Sequence, residues 1–145
     1  GDVSMITGLG HVAYAVDDLD AALEFYVQYL GLTEAFRLYR EDGTPWIVYL
    51  HVGARGFVEL FPGGRGGDGA NASPSYRHLC LEVDNMAATL ADMAERGMTI
   101  EGEPNRGQDG NSQYWVTDPD GNRIELMELH PDSPQSQAIR AAGQA

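Results

Sequence analysis

Cysteine and basic residues are scarce in this chain, and no apolar run is long. One cysteine, Cys80, occurs in 145 residues, so an internal disulfide is excluded and a reducing compartment fits. Nine Lys and Arg stand against 22 Asp and Glu, a formal net charge of −13. With no basic stripe to displace counterions from phosphates, nucleic acid is excluded as a partner. No apolar segment reaches the length of a signal peptide or a membrane span, so the sequence reads as soluble and cytoplasmic, with no membrane partner. Gly1 stands where a start methionine would and reads as a cloning scar, with Met5 as a possible native start.

What the chain does contain is a pattern written twice. His11 opens HVAYAVDDLDAAL and Glu59 lies in GFVELF; His78 opens HLCLEVDNMAATL and Glu125 lies in NRIELMEL. The first pair is separated by 48 residues and the second by 47. Residues 9–16 alternate and are rich in β-formers, and Asp17 and Asp18 then offer cap carboxylates to a helix over about 19–30, stopped at Gly31. Strands follow at about 33–40, 45–52 and 56–61, joined by EDGT and GARG turns. The second half repeats that order, with a strand at 77–83, a helix over about 85–96 ended by Gly97, and strands near 98–103, 112–117 and 122–129. DPDGN supplies its last hairpin turn.

The fold class is therefore α+β, two tandem βαβββ modules over 6–61 and 76–129 within a single domain at 5–130. A chain of this size buries about two-thirds of its unfolded surface, whereas a half of that length is marginal alone. The halves are expected to pack on each other or on those of a second copy, as in a homodimer. The Gly-rich segment 62–75 reads as a linker, since the phosphate-cradling GxxxxGK[ST] pattern is absent. The tail 131–145 is polar and without strong periodicity, and a partly ordered extension is expected.

Strand parity puts His11, Ala13 and Ala15 on one face and Val12, Tyr14 and Val16 on the other, which suits helix packing. In the same way His78, Cys80 and Glu82 oppose Leu79, Leu81 and Val83. Phe57, Glu59 and Phe61 share a face, as do Arg123, Glu125 and Met127. If each half curls its sheet around that face, two imidazoles and two carboxylates converge. Such a mixed set suits one divalent metal ion (Ni, Co, Zn, Mn or Fe(II)), and the absence of thiolates argues against Cu(I) or iron–sulfur chemistry. Four ligands in an octahedron leave two positions for a small-molecule substrate with vicinal oxygens.

On the two His–Glu pairs and the DPDGNRIEL ending, residues 8–129 resemble the vicinal oxygen chelate superfamily (glyoxalase, bleomycin resistance, dioxygenase), and the quartet resembles compact bacterial glyoxalase I. The resemblance implies a cup-shaped sheet, His11, Glu59, His78 and Glu125 as metal ligands, and Glu125, with Glu59 as the alternative, as the catalytic base. It implies a metal-dependent lyase or isomerase of the glyoxalase type that moves a proton next to a carbonyl. The alternatives are an epimerase with the same chemistry, an extradiol dioxygenase, and a drug-binding resistance protein without catalysis. Glutathione-using members carry an arginine four residues after the first histidine; here that position is Ala15, which argues against glutathione. Glu82 is a second acid–base candidate or a strand-end carboxylate, and Cys80 an apolar filler or a cup residue. Trp46, Tyr49, His51 and Trp115 are candidates for the pocket wall, with Trp46 and Tyr49 on opposite faces. Arg37, Arg106 and Gln113 are candidates for holding a substrate carboxylate or carbonyl.

Overall fold

A computed structural model describes residues 5–64 and 75–143. The chain divides into two compact units, Gly1–Gly66 and Gly67–Ala145. The linker expected at 62–75 falls mostly outside the described residues.

In the first unit β1 (His11–Val16) leads into α1 (Leu19–Leu23), which continues as a π-helical stretch, Glu24–Tyr29, before β2 (Thr33–Tyr39), β3 (Pro45–Val52) and β4 (Gly56–Pro62). Asp18 caps α1 by accepting from the Ala21 amide at 3.1 Å. The strands form one sheet in the order β1-β4-β3-β2, with β1 parallel to β4. Apolar alternation decides the faces: Tyr14, Val16, Val48, Leu50, Val58 and Leu60 are buried, and the helix buries Ala22, Phe25 and Tyr26. The rings of Tyr14 and Tyr26 stack at 6.2 Å. The expected α-helix is thus half π: Leu30 N–H donates to Phe25 O, five residues back. The wider turn buries two rings adjacent in sequence, Phe25 and Tyr26.

In the second unit the order is β5 (Leu79–Glu82), α2 (Met86–Glu95), β6 (Asn105–Arg106), β7 (Ser112–Thr117), β8 (Arg123–Glu128) and α3 (Pro134–Ala141). The sheet repeats the first, β5-β8-β7-β6, with β5 parallel to β8. Leu81, Met86, Leu90, Met93, Tyr114, Val116, Ile124 and Leu126 make its core. Two carboxylates fix its joints. Glu128 accepts from the Met86 amide at the start of α2 at 2.6 Å, and buried Asp118 accepts from the amides of Asp120 and Asn122 in the DPDGN turn.

Three expectations need correction. The strand at 98–103 is absent, and only Asn105–Arg106 pairs with β7. Gly102 takes φ 71°, outside β geometry, and Pro104 has no amide to donate, so this segment cannot hold a ladder. It is tied down instead by the Tyr114 hydroxyl, which donates to Glu101 O and accepts from Glu101 N. His78 lies one residue before β5 instead of opening it. The tail forms α3, capped by Ser133, whose hydroxyl accepts from the Ser136 amide. Buried Asn111 anchors its approach, accepting from His130 N at 2.9 Å and donating to Gln135 Oε1 at 3.3 Å. Among the described residues no helix is long and apolar enough to cross a membrane.

Candidate metal centre

Parallel pairing of the first and last strands of each module sets the geometry. In unit one Ala13 is level with Glu59, so His11, two residues earlier on the same face, reaches the carboxylate: Nδ1 lies 3.1 Å from Glu59 Oε2. In unit two Cys80 is level with Glu125, and His78, again two residues earlier, places Nε2 3.0 Å from Glu125 Oε1. The duplicated sequence has become a duplicated contact.

The two carboxylates differ in surroundings. Glu59 is almost closed off, with 5% of its side chain exposed, against 13% for Glu125. Tyr49, directly across the ladder from Glu59, hydrogen-bonds it; desolvation first, then the charge and hydrogen bond of Glu59, raise the phenol pKa. The corresponding partner of Glu125 is Trp115. Its indole N–H donates to Gln113 Oε1 at 3.3 Å, and Gln113 Nε2 makes a long, 3.5 Å bond to Glu125 Oε2. Trp115 also meets the His78 ring edge-on at 4.6 Å and carries the Arg123 guanidinium 4.2 Å above its ring centre.

Each His–Glu pair has the spacing of two neighbouring ligands on one ion. Adjacent ligands of an octahedral ion, with bonds of about 2.1 Å, stand about 3.0 Å apart, the separation seen in both pairs. A buried carboxylate facing an imidazole also calls for a cation. Among the described residues no three His, Cys, Asp or Glu side chains are gathered into a ligand set, so the structure shows the two His–Glu pairs and not a quartet.

The remaining candidates separate clearly. Trp46 is 42% exposed, and Tyr49 is the one facing Glu59. Around it the site face of unit one is aromatic: Phe36 stacks on Tyr49 at 4.2 Å and His51 on Phe57 at 4.8 Å. Ala15 is exposed on β1, level with Phe61, and offers no cation. Arg37 is committed to Glu34 through two hydrogen bonds, which also lower the Glu34 pKa. Arg106 is held by Gly110 O. Glu82 is exposed at the end of β5. Cys80 is exposed, yet its thiol is pushed up to about 12, by burial first and then by Glu125 and Glu82. Sequence reasoning assigned no role to Arg123. Its parity with Glu125 was the available signal, but the stacking that fixes it depends on the β7–β8 register.

The profile of the glyoxalase/bleomycin resistance protein/dioxygenase superfamily matches residues 8–126. The chain belongs to this superfamily. Its relatives include human mitochondrial methylmalonyl-CoA epimerase, 35% identical over 103 residues covering 66% of this chain and 57% of that protein. A probable chloroplastic lactoylglutathione lyase of Arabidopsis thaliana is 29% identical over 83% of this chain and 35% of its own length. The chain thus spans less than two-thirds of either relative. The crystal structure of a glyoxalase family protein from Enterococcus faecalis superposes with a TM-score of 0.70 at 23% identity, covering 86% of this chain and all of that one. The superfamily fold expected from the sequence, two βαβββ modules each with a four-stranded mixed sheet, is the fold found.

Proposed function

We propose that this superfamily member is a metal-dependent enzyme of the glyoxalase type, a lyase or isomerase that moves a proton at a carbon next to a carbonyl. The observation that carries this reading is the matched pair of His–Glu contacts, 3.1 and 3.0 Å, at equivalent register positions of two modules. His11, Glu59, His78 and Glu125 would hold the ion. A divalent cation bound there would polarise a substrate carbonyl and stabilise negative charge on its oxygen.

The chain's own residues divide the remaining work. Glu125, the more open carboxylate, takes the proton from the carbon and returns it. Gln113 orients that carboxylate from one side through its amide N–H, while its own carbonyl is held by Trp115. Glu59, sealed beside Tyr49, keeps its charge in place as the stationary ligand. Phe36 and Phe57 pack on Tyr49, the neighbour of Glu59. Ala15, where a cation would be needed for a glutathione carboxylate, points to a substrate other than a glutathione adduct. An epimerase, favoured by the similarity to methylmalonyl-CoA epimerase, uses the same proton abstraction but returns a proton to the opposite face of the same carbon, a step that calls for a second acid–base group, with Glu59 as the candidate.

Elemental analysis of the purified protein tests the site: about one divalent ion per chain is expected, with occupancy reduced in Glu59→Gln and His78→Ala. Full occupancy in both variants would refute it. In deuterated water, turnover should place deuterium on the carbon next to the carbonyl; consumption of oxygen without such exchange would replace proton transfer with the dioxygenase reading.

A further inference from the structure

All nine Lys or Arg positions of this chain are arginines, and four of the eight described ones are held by partners. Arg37 is tied to Glu34, Arg96 to Asp92, Arg106 to Gly110 O and Arg140 to Pro131 O. Arg123 is set apart by its place beside a candidate ligand. It lies two residues before Glu125 in β8, so the two side chains leave the same face of the sheet. Its guanidinium carbon sits 4.2 Å over the centre of Trp115, and among the described residues it has no carboxylate or hydrogen-bonding partner. Trp115 in turn meets the His78 ring at 4.6 Å, which places the guanidinium carbon at most about 9 Å from the centre of that imidazole.

We propose that Arg123 selects the substrate by its charge, binding a carboxylate or phosphate oxyanion that the substrate carries in addition to its chelating oxygens. This rests on the metal-site reading above. The cation–π contact supports it, because a guanidinium carbon held 4.2 Å over the indole uses no N–H hydrogen bond and leaves those donors for an acceptor. Stacking also restricts the side chain before any ligand arrives, so less rotamer entropy is lost on binding. A net charge of −13 repels an anionic substrate, and a fixed cation beside the reacting centre is the local means of reversing that field. A group a few bonds beyond oxygens held near His78 and Glu125 would reach Arg123.

The test uses the full chain loaded with cobalt(II), whose visible absorption reports binding at the ion. Four probes are titrated: lactate, malate, glycerate and 3-phosphoglycerate. Malate extends lactate by a carboxylate, and 3-phosphoglycerate extends glycerate by a phosphate. Native protein should bind at least one extended probe about 10-fold more tightly than its parent, the scale of one charge-assisted hydrogen bond. The preferred member, malate or 3-phosphoglycerate, distinguishes carboxylate from phosphate. Arg123→Gln should erase the preference and leave lactate and glycerate affinities unchanged, and Arg123→Lys should retain part of it. An equal preference in Arg123→Gln, or equal weakening of all four probes, would overturn the assignment, the latter because Arg123 would then only support Trp115 and His78. Cobalt retained with no preference in the native protein refutes this inference alone; cobalt not retained refutes the metal reading and this inference together.

Discussion

Replacing Glu59 by glutamine should have opposite effects on stability with and without metal. The native carboxylate is 5% exposed and faces His11 Nδ1 at 3.1 Å and the Tyr49 hydroxyl. Glutamine is nearly isosteric: its carbonyl can accept from Tyr49 and its amide can donate to a neutral imidazole. Without metal the variant sheds the cost of a buried charge and keeps its hydrogen bonds, so it should be about 1 kcal/mol more stable than native, at the low end of the gain from neutralising buried ion pairs. For a chain of this size that is about 3 °C in Tm. With free metal at about 1,000 times Kd, the native protein gains about 4 kcal/mol by mass action. If losing the anionic ligand weakens affinity about 100-fold, the variant gains only about 1.4 kcal/mol under the same conditions. The order then reverses, with native ahead by about 1.6 kcal/mol, or about 5 °C. Thermal scans in chelator and in excess nickel or zinc check both signs. A variant less stable by the same amount in both buffers would show that Glu59 is only a structural partner of His11, and the reasoning would fail.

Glu125→Gln should lower kcat by about 100-fold or more while metal occupancy falls much less, since it removes the base but leaves an oxygen donor; steady-state kinetics beside elemental analysis check the split. Cys80, although exposed, should resist iodoacetamide at pH 8 in metal-free protein, because its thiol is pushed up to about 12 and holds almost no thiolate there; alkylation at the rate of a free thiol would contradict this. The same shift means that the folded state keeps a proton which the unfolded chain releases above its ordinary pKa. Its contribution is thus fully present at neutral pH and is lost as pH rises towards 12. Asn111→Ala removes the acceptor of the part-buried His130 amide and the donor to Gln135, and should cost about 2 kcal/mol in urea unfolding, with faster hydrogen exchange in α3 than elsewhere.

Much of this protein was legible in its sequence because the signals were local and repeated. Alternation in HVAYAV and HLCLEV assigned each strand a face, and the DPDGN turn fixed a hairpin through one buried aspartate whose side chain needs only neighbours four residues away or closer. The His–Glu pairs could be named because the motif recurs at nearly the same spacing. Other features were out of reach because backbone geometry and side-chain contacts outside the alternation pattern decide them. Residues 98–103 look like a strand, but the φ of Gly102 and the Tyr114 anchor override them. The polar tail becomes α3 with the help of Asn111, 24 residues before Gln135. The helix widens into a π turn where two adjacent rings are buried. Parity could put His11 and Glu59 on like faces of separate strands, but only the parallel register of β1 and β4 decides that they lie 3.1 Å apart. In the same way only the β7–β8 register brings Trp115 level with Glu125 and beneath Arg123. The sequence by itself determined the residues and the chemistry they can perform. The pairing of distant strands decided which of them meet, because distances between side chains are set by hydrogen-bond ladders closed over 40 or more residues.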